Sequence, residues 1–260
     1  MRRSLIITAA AALALIVPAT ASAAAPAAGS CVNPSGVATD ANVSYHWTSR
    51  AGSWRVRPAL ATLVARTRPG AGGKAGVVSQ RTVHTGVQAW YLVLDAKQVG
   101  AKCWLRLRLP AEPTSRGGWV DRDLLLAQKL AWQIEVDLSD RKVRVYQGAV
   151  LKLAKGVVIG ASATPTPLTM PNEPFAMYDA KRGAATDFTG SWQLATTARS
   201  AVDPGLGRIG IHGRGGASLT QALGTAASHG CVRSDNATVD AMVRMMGLQG
   251  MLGAPMLVVA

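Results

Sequence analysis

Two histidines and a cysteine lie close together in the chain, and they are the side chains best suited to covalent chemistry. His212 is followed by Gly213, while His229 and Gly230 directly precede Cys231. A thiol becomes a strong nucleophile only as the thiolate, so it needs a neighbouring base or a site that stabilises the anion. We therefore predict that Cys231 is a catalytic nucleophile and that His212 accepts its proton.

The glycines beside these residues suit the same chemistry. Gly230 allows a tight turn before Cys231 and leaves room for a substrate to approach. The backbone amides of Gly230 and Cys231 are candidates for an oxyanion hole, which stabilises a tetrahedral intermediate. The second ring nitrogen of His212 needs an acceptor that fixes its tautomer, and the Gly213 carbonyl is near enough in sequence to be considered.

The same cluster has other interpretations. One residue separates His229 from Cys231, a spacing that can place two ligands on one metal ion, with His212 as a third. No fourth ligand is evident and the intervening glycine suits an oxyanion loop better, so we predict no metal and no other cofactor. Each histidine alone could be a hydrogen-bonded core residue and Cys231 a small buried one, but that does not explain the whole cluster.

The segments around this cluster alternate between apolar and polar side chains. Residues 132–138 and 142–146 have the period of two that is typical of strands, and a short Ser-Asp turn joins them. This pattern predicts a β-hairpin. Closer to the C-terminus, an apolar face predicts the one notable helix, capped by Asn236 or Ser234 and stopped by Gly247.

Two domains of mainly β structure are predicted. Residues 41–127 contain short apolar runs broken by turn signals, and the alternation over residues 104–109 is that of a half-buried strand. We therefore expect a small β-barrel module here, followed by a β-rich catalytic domain over residues 131–260. His46 and His84 fall in the first module, and we interpret each as an ordinary surface or strand residue.

The N-terminal residues predict export. Two arginines precede an apolar run over residues 5–17, and small residues follow at 21–23, which is typical of a signal peptide, residues 1–23. The run is shorter than the ~20 residues that span a membrane, so we expect no membrane attachment after cleavage. Residues 24–40 are rich in Ala, Gly, Pro and Ser and predict a disordered linker.

The chain is strongly basic, with 28 Lys and Arg against 14 Asp and Glu and a formal charge of +14. Removing Arg2 and Arg3 with the signal peptide leaves 26 basic residues and a charge of +12. Nucleic-acid binding would suit this charge, but the basic residues are scattered and few aromatic residues accompany them. For an exported chain we expect anionic wall polymers as partners and no nucleic acid.

Three cysteines occur, an odd number in a compartment that permits disulfides. Cys31 and Cys103 both lie in the first half of the chain, so we predict that they form a disulfide. Cys231 then stays unpaired, as a nucleophile requires.

The C-terminal half resembles the YkuD-type L,D-transpeptidase family. The shared features are the His-Gly pair at 212–213, fifteen residues, 213–227, between His212 and Ser228, and the run Ser-His-Gly-Cys-Val-Arg at 228–233. The resemblance extends over residues 132–260. It departs from the family at Ser234, where an apolar residue is usual, and after Pro167, where Leu-Thr-Met-Pro replaces a Thr-Gly-Arg-Phe-like run.

This resemblance implies a role for each matching residue. The implied catalytic residues are Cys231 as nucleophile, His212 as general base, Gly213 orienting the base through its carbonyl, and His229 and Gly230 lining the oxyanion region. The implied substrate-binding residues are Ser228 and Arg233, the second of which either orients substrate or supports the loop.

The first module resembles the bacterial Src-homology-3-like modules that often precede wall enzymes. The resemblance rests on the strand at 104–109, a Pro-containing loop and the run Gly-Trp-Val at 118–120, and it covers about seventy residues. It implies that the module binds or positions wall material. The alternative is a barrel that serves only as a folding partner.

The family resemblance implies a two-step acyl transfer in the cell wall or a periplasm-like space. The Cys231 thiolate attacks the carbonyl before the terminal D-residue of a peptidoglycan tetrapeptide stem, D-alanine leaves, and an amine of a neighbouring stem resolves the thioester. Two alternatives stay open: transfer to water, as in a carboxypeptidase or endopeptidase, and a wall-binding protein with little turnover. The diamino acid and the acceptor amine are not fixed by the sequence, and we expect a monomer.

Overall fold

The computed structural model describes residues 30–31, 43–44, 53–110, 117–200, 202 and 207–260. The predicted signal peptide, most of the predicted linker and His46 lie outside these residues. Within the described part the protein is mainly β, as predicted, with two large sheets and two α-helices. No helix among the described residues is long and apolar enough to cross a membrane.

The first large sheet, which we call the N-terminal sheet, has seven strands. They are β3 (Ser53–Pro58), β4 (Thr62–Arg68), β5 (Ala71–Ser79), β6 (Tyr91–Val99), β7 (Lys102–Arg108), β8 (Gly117–Asp121) and β9 (Leu125–Leu130). All pairs are antiparallel, in the order β5-β4-β8-β7-β6-β3-β9. Two short strands, β1 (Ser30–Cys31) and β2 (Val43–Ser44), pair with each other before it.

Strand β7 shows how the sequence specifies this sheet. Leu105 and Leu107 are fully buried in its core, whereas Trp104 and Arg106 on the opposite face are half-buried, so the predicted alternation is confirmed. In the same strand Cys103 forms a disulfide with Cys31, with 5.5 Å between the Cα atoms. The disulfide ties β1 to the sheet.

The second large sheet, the C-terminal sheet, has eight strands. They are β10 (Trp132–Asp137), β11 (Lys142–Gln147), β12 (Val150–Gly156), β14 (Phe175–Arg182), β15 (Trp192–Arg199), β16 (Arg208–His212), β18 (Val232–Arg233) and β19 (Pro255–Val259). Their order is β12-β11-β10-β19-β14-β15-β16-β18, and only the β10-β19 and β16-β18 pairs are parallel. Two short parallel strands, β13 (Ile159–Gly160) and β17 (Ala226–Ser228), lie beside it.

The predicted hairpin is confirmed, because β10 pairs antiparallel with β11 from Trp132 opposite Gln147 to Asp137 opposite Lys142. The predicted helix is α1 (Asn236–Met246), and it ends at Gly247, whose φ of +68° suits glycine. Its cap differs from the expectation.

The N-cap of α1 is Asp235, not Asn236 or Ser234. The Asp235 carboxylate accepts a hydrogen bond from the Thr238 amide at 2.6 Å. A carboxylate three residues before that amide satisfies one of the unpaired donors of the first turn, as an N-cap does. A second short helix, α2 (Leu248–Met251), follows directly and was not predicted.

A single residue, Ala131, connects the two sheets, because β9 ends at Leu130 and β10 begins at Trp132. The sheets also pack against each other. Leu92 and Leu94 of β6 form a buried apolar cluster with Ala176 of β14, and Leu257 lies against it. The two sheets are therefore joined by a short connection and are in contact with each other.

Charged residues of the same interface come from β7. Arg106 and Arg108 both form ion pairs with Glu173, at 2.5 and 2.6 Å. Arg108 is buried although it lies on the outward face of β7, because the C-terminal half covers that face. Its burial lowers the pKa of Arg108, while the charge of Glu173 raises it.

Candidate active site

A cleft of about 540 Å³ lies against β14, β15 and β16. Cys231, His212 and Arg233 all line it, so the structure brings together three of the residues predicted from the sequence. Other polar residues lining the cleft are His84, Tyr178, Asp179, Lys181, Thr189, Gln193 and Arg208.

The parallel pairing of β16 with β18 brings His212 and Cys231 close together. Ile211 lies opposite Val232 and His212 opposite Arg233, so Cys231, directly before β18, lies two positions from the level of His212. Ile209 and Ile211 point into the core, with exposures of 1% and 0%. His212, one position out of phase with them, points to the other face of the sheet and into the cleft.

A hydrogen bond of 2.7 Å between Nδ1 of His212 and the Gly213 carbonyl sets the orientation of the ring. A carbonyl only accepts, so Nδ1 carries the proton and Nε2 of the neutral ring is an acceptor. Burial lowers the pKa of His212 to about 4; the Gly213 bond opposes this shift and the charge of Arg233 adds to it. At neutral pH His212 is therefore uncharged and able to take a proton.

Only glycine fits at position 213. A Cβ there would lie 2.1 Å from Oδ1 of Asn236, the atom that accepts a hydrogen bond from the Ser191 amide at 2.9 Å. Nδ2 of Asn236 donates to the Ala185 carbonyl at 3.0 Å. The first residue of α1 thus packs against the backbone that orients His212, a role for Asn236 that had no signal in the sequence.

Cys231 is half-buried and carries a free thiol. Its Sγ lies 3.9 Å from the Arg208 carbonyl. Burial raises the pKa of the Cys231 thiol, while a hydrogen bond with the Gly210 backbone and the charge of Arg233 lower it. Helix α1 begins only at Asn236, too far along the chain for its N-terminal amides to act on the thiol. The resting thiol is protonated, and attack requires a base.

The loop before Cys231 is closed by its own hydrogen bonds. The Ser228 hydroxyl donates to the Cys231 carbonyl at 2.6 Å and accepts from the Gly230 amide at 3.1 Å. Ser228 is 1% exposed and does not line the cleft. In this structure Ser228 therefore holds the loop, and the Gly230 amide, expected at an oxyanion, bonds to the Ser228 hydroxyl.

Thr166 is a second brace of this loop. Its hydroxyl donates to the Gly230 carbonyl at 2.8 Å and accepts from the Gly160 amide at 2.9 Å. Gly230 has a φ of +108°, and a Cβ there would lie 2.6 Å from Cδ1 of Ile209. The sequence analysis required glycine at 230 for a tight turn, but it did not identify Thr166.

His229 and Arg233 occupy different surroundings. The His229 side chain is exposed and is not among the residues that line the cleft, so the structure does not bring it to the position expected for an oxyanion residue. Arg233 is 4% exposed, lines the cleft and lies 4.8 Å over the ring of Phe188. It also donates a hydrogen bond to the Gln221 side chain. Arg233 thus both supports the loop and reaches the cleft.

Two further residues of the cleft were not found by sequence reasoning. The guanidinium of Arg208 stacks over the ring of Tyr178 at 4.5 Å, and its Nη2 donates to the Pro110 carbonyl at 2.8 Å. Burial raises the pKa of Tyr178 to about 12, so its phenol is neutral. Neither residue belongs to a recognisable local motif, because the contacts join distant parts of the chain.

The metal alternative gains no support from the part of the chain that the structure describes. No group of three His, Cys, Asp or Glu side chains there is arranged to hold a metal ion. The exposed position of His229, away from the cleft-lining His212, is the physical reason why these side chains do not form a shared site.

Solved structures of L,D-transpeptidases are similar to parts of this chain. The catalytic domain of an Enterococcus faecium L,D-transpeptidase has a TM-score of 0.34 and 22% identity over 49% of this chain and 95% of that chain. Mycobacterium tuberculosis L,D-transpeptidase 3 has a TM-score of 0.42 and 13% identity over 81% of this chain and 83% of that chain.

A third structure, the avibactam carbamoyl form of an enzyme named Ldtfm, has a TM-score of 0.38 and 22% identity. The match covers 50% of this chain and 49% of that one, so this chain spans about half of its length. No curated protein matches the chain. Residues 131–255, the part that carries His212, Cys231 and Arg233, match the model of the YkuD family, the L,D-transpeptidase catalytic domain.

Proposed function

We propose that this protein is an exported L,D-transpeptidase that uses Cys231 as its nucleophile. The observation that carries the proposal is the His212 ring, whose Nδ1 is held by the Gly213 carbonyl, which leaves Nε2 as the acceptor in the cleft shared with Cys231. The family match of residues 131–255 supports the same reaction class.

In the first step Nε2 of His212 takes the Sγ proton, and the thiolate attacks the carbonyl before the terminal D-residue of a tetrapeptide stem. The Cys231 amide is our candidate for stabilising the resulting oxyanion, since the Gly230 amide is bonded to Ser228. Collapse breaks the peptide bond, and the leaving D-alanine receives the proton from His212. A thioester on Cys231 remains.

In the second step an amine of a neighbouring stem attacks the thioester. His212 takes the amine proton and returns a proton to sulfur, which restores the thiol and completes a new amide bond. The charge of the cleft supports this class of substrate: Lys181, Arg208 and Arg233 line it, and Asp179 is the one carboxylate among the described residues that do so. A stem rich in carboxylates suits such a surface.

Incubation of the purified protein with a disaccharide-tetrapeptide, followed by mass spectrometry, tests the proposal. A crosslinked dimer with loss of one D-alanine supports transpeptidation. A trimmed stem alone, with the same loss, assigns the acyl transfer to water and makes the protein a carboxypeptidase. Both products should disappear in Cys231→Ala. If the wild-type protein binds wall material but forms neither product, the enzymatic proposal is wrong.

A further inference from the structure

The cleft is not built by the C-terminal sheet alone. The connection between β5 and β6, residues 80–90, reaches its edge, and we call it the His84 loop. An isolated pair between Arg81 and Gln88 closes this loop, and the Thr82 amide donates to the Val87 carbonyl at 2.8 Å. These bonds make the loop an ordered hairpin that belongs to the N-terminal sheet.

Asp179 of β14 fixes the loop to the C-terminal sheet. Its Oδ2 accepts hydrogen bonds from the amides of His84 and Thr85, at 3.0 and 3.3 Å, and its Oδ1 accepts from the Thr85 hydroxyl. Asp179 is 1% exposed. A buried carboxylate needs such donors, so the loop tip is held at one position.

At this position His84 contacts Tyr178. Its Nε2 lies 2.9 Å from the Tyr178 hydroxyl. The Arg208 guanidinium packs on the ring of the same tyrosine, 4.5 Å from the ring centroid. All three residues line the cleft together with Cys231. The Arg208 carbonyl also lies 3.9 Å from the Cys231 thiol. A chain of contacts therefore runs from the N-terminal sheet to the strand beside the nucleophile.

We propose that His84 is a positioning residue, which holds Tyr178 and Arg208 as one wall of the cleft so that this wall binds a carboxylate of the peptide substrate. The N-terminal sheet then contributes to substrate recognition as well as to folding. The proposal gives His84 a role beyond that of the ordinary surface or strand residue expected from the sequence, and it rests on the proposed acyl transfer.

The first test measures turnover of a tetrapeptide stem. Because the loss of one hydrogen bond that orients a binding wall weakens binding, His84→Ala should raise KM by about 3- to 10-fold and leave kcat within about twofold. His84→Gln keeps a polar group for the Tyr178 hydroxyl and should restore much of the wild-type KM. Val83→Ala changes an exposed neighbour in the same loop and is the matched control.

A coupling test uses Tyr178→Phe, which removes only the hydroxyl. Since His84 acts through that hydroxyl, the double variant should have the same KM as either single variant. Effects of His84→Ala and Tyr178→Phe that add, or a His84→Ala variant whose kcat falls while KM is unchanged, would overturn the proposal.

A second test does not require turnover, so it separates failure of this proposal from failure of the proposed function. Iodoacetate and iodoacetamide alkylate Cys231 by the same displacement of iodide, but only iodoacetate carries a carboxylate. The ratio of the two rates should exceed that of a free cysteine peptide in the wild type and fall severalfold in His84→Ala. An unchanged ratio rejects the wall as a carboxylate site even if turnover occurs, and a reduced ratio supports it even if the tetrapeptide is not the substrate.

Discussion

At the residue scale, the central feature is that the Cys231 thiol and the His212 ring are both uncharged at neutral pH. Burial raises the pKa of the Cys231 thiol and lowers that of His212. Cysteine nucleophiles can also rest as a thiolate beside an imidazolium. Here the protonated thiol and the neutral ring indicate that the proton moves only when a substrate is attacked. This order of events has consequences for pH dependence and for chemical labelling.

The pH profile of kcat/KM should show an acidic limb near pH 4, the pKa to which burial lowers His212. Above that pH the ring is neutral and can act as a base; below it the protonated ring cannot. Activity should therefore stay nearly constant from pH 5.5 to 7 on this limb, a range in which an ordinary histidine with a pKa of ~6.5 would titrate. An acidic limb at a pH close to 6.5 would contradict a buried His212 ring that is neutral in this range.

The two histidines should differ when Cys231 is labelled. His212→Ala removes the base, so alkylation by iodoacetamide at neutral pH should slow and recover only at alkaline pH, where the buried thiol ionises unaided. His229→Ala should leave alkylation close to wild type, because that side chain is exposed and outside the cleft. Loss of labelling in His229→Ala with normal labelling in His212→Ala would reverse the assignment of the base.

At the element scale, the loop 228–231 depends on Thr166, a residue far from it in sequence. Thr166→Val keeps the shape of the side chain but leaves the Gly230 carbonyl and the Gly160 amide without their partner. Unfolding free energy should fall by about 1–3 kcal/mol. Activity should fall by up to ~100-fold, because a small displacement of a nucleophile is costly.

Thr169→Val is the matched control for this change. The Thr169 hydroxyl also donates to a carbonyl and accepts from an amide, both of Val258, at 3.0 and 3.2 Å, but it lies away from the cysteine loop. The two variants should lose similar stability in urea unfolding, and only Thr166→Val should lose activity. Equal activities would show that Thr166 has no special role in placing Cys231.

The sequence predicted those elements whose signals are local. The alternation of Leu105 and Leu107 and the hairpin of β10 and β11 follow from a period of two, and the run before Cys231 indicates a candidate nucleophile by residue type. The contact between His84 and Tyr178 joins residues 94 positions apart, and no local pattern specifies which distant strands become neighbours. For the same reason the bond from the Thr166 hydroxyl to the Gly230 carbonyl, 64 positions apart, was not foreseen.

At the scale of the whole molecule, the charge of +12 expected after removal of the signal peptide suggests salt-sensitive adsorption to the wall. Exposed charges more than about 8–10 Å apart are screened at physiological salt, so binding of the purified protein to isolated wall should weaken steeply as NaCl is raised. Sedimentation of wall with bound protein measures this. Cys231→Ala should adsorb like the wild type, since the thiol carries no charge. Adsorption that does not change between low and high salt would exclude an electrostatic mechanism.

The one-residue connection at Ala131 fixes the distance between the N-terminal sheet and the C-terminal sheet. A long flexible linker lets a binding module and an enzyme explore many separations, which raises local concentration without fixing distance. Here only one residue separates β9 from β10. The ion pair of Glu173 with Arg106 and the hydrogen bond from the His84 amide to Asp179 also hold the two sheets together. Any polymer held by the N-terminal sheet would therefore lie at a set distance and angle from Cys231, and the spacing of modified stems along that polymer would be built into the protein.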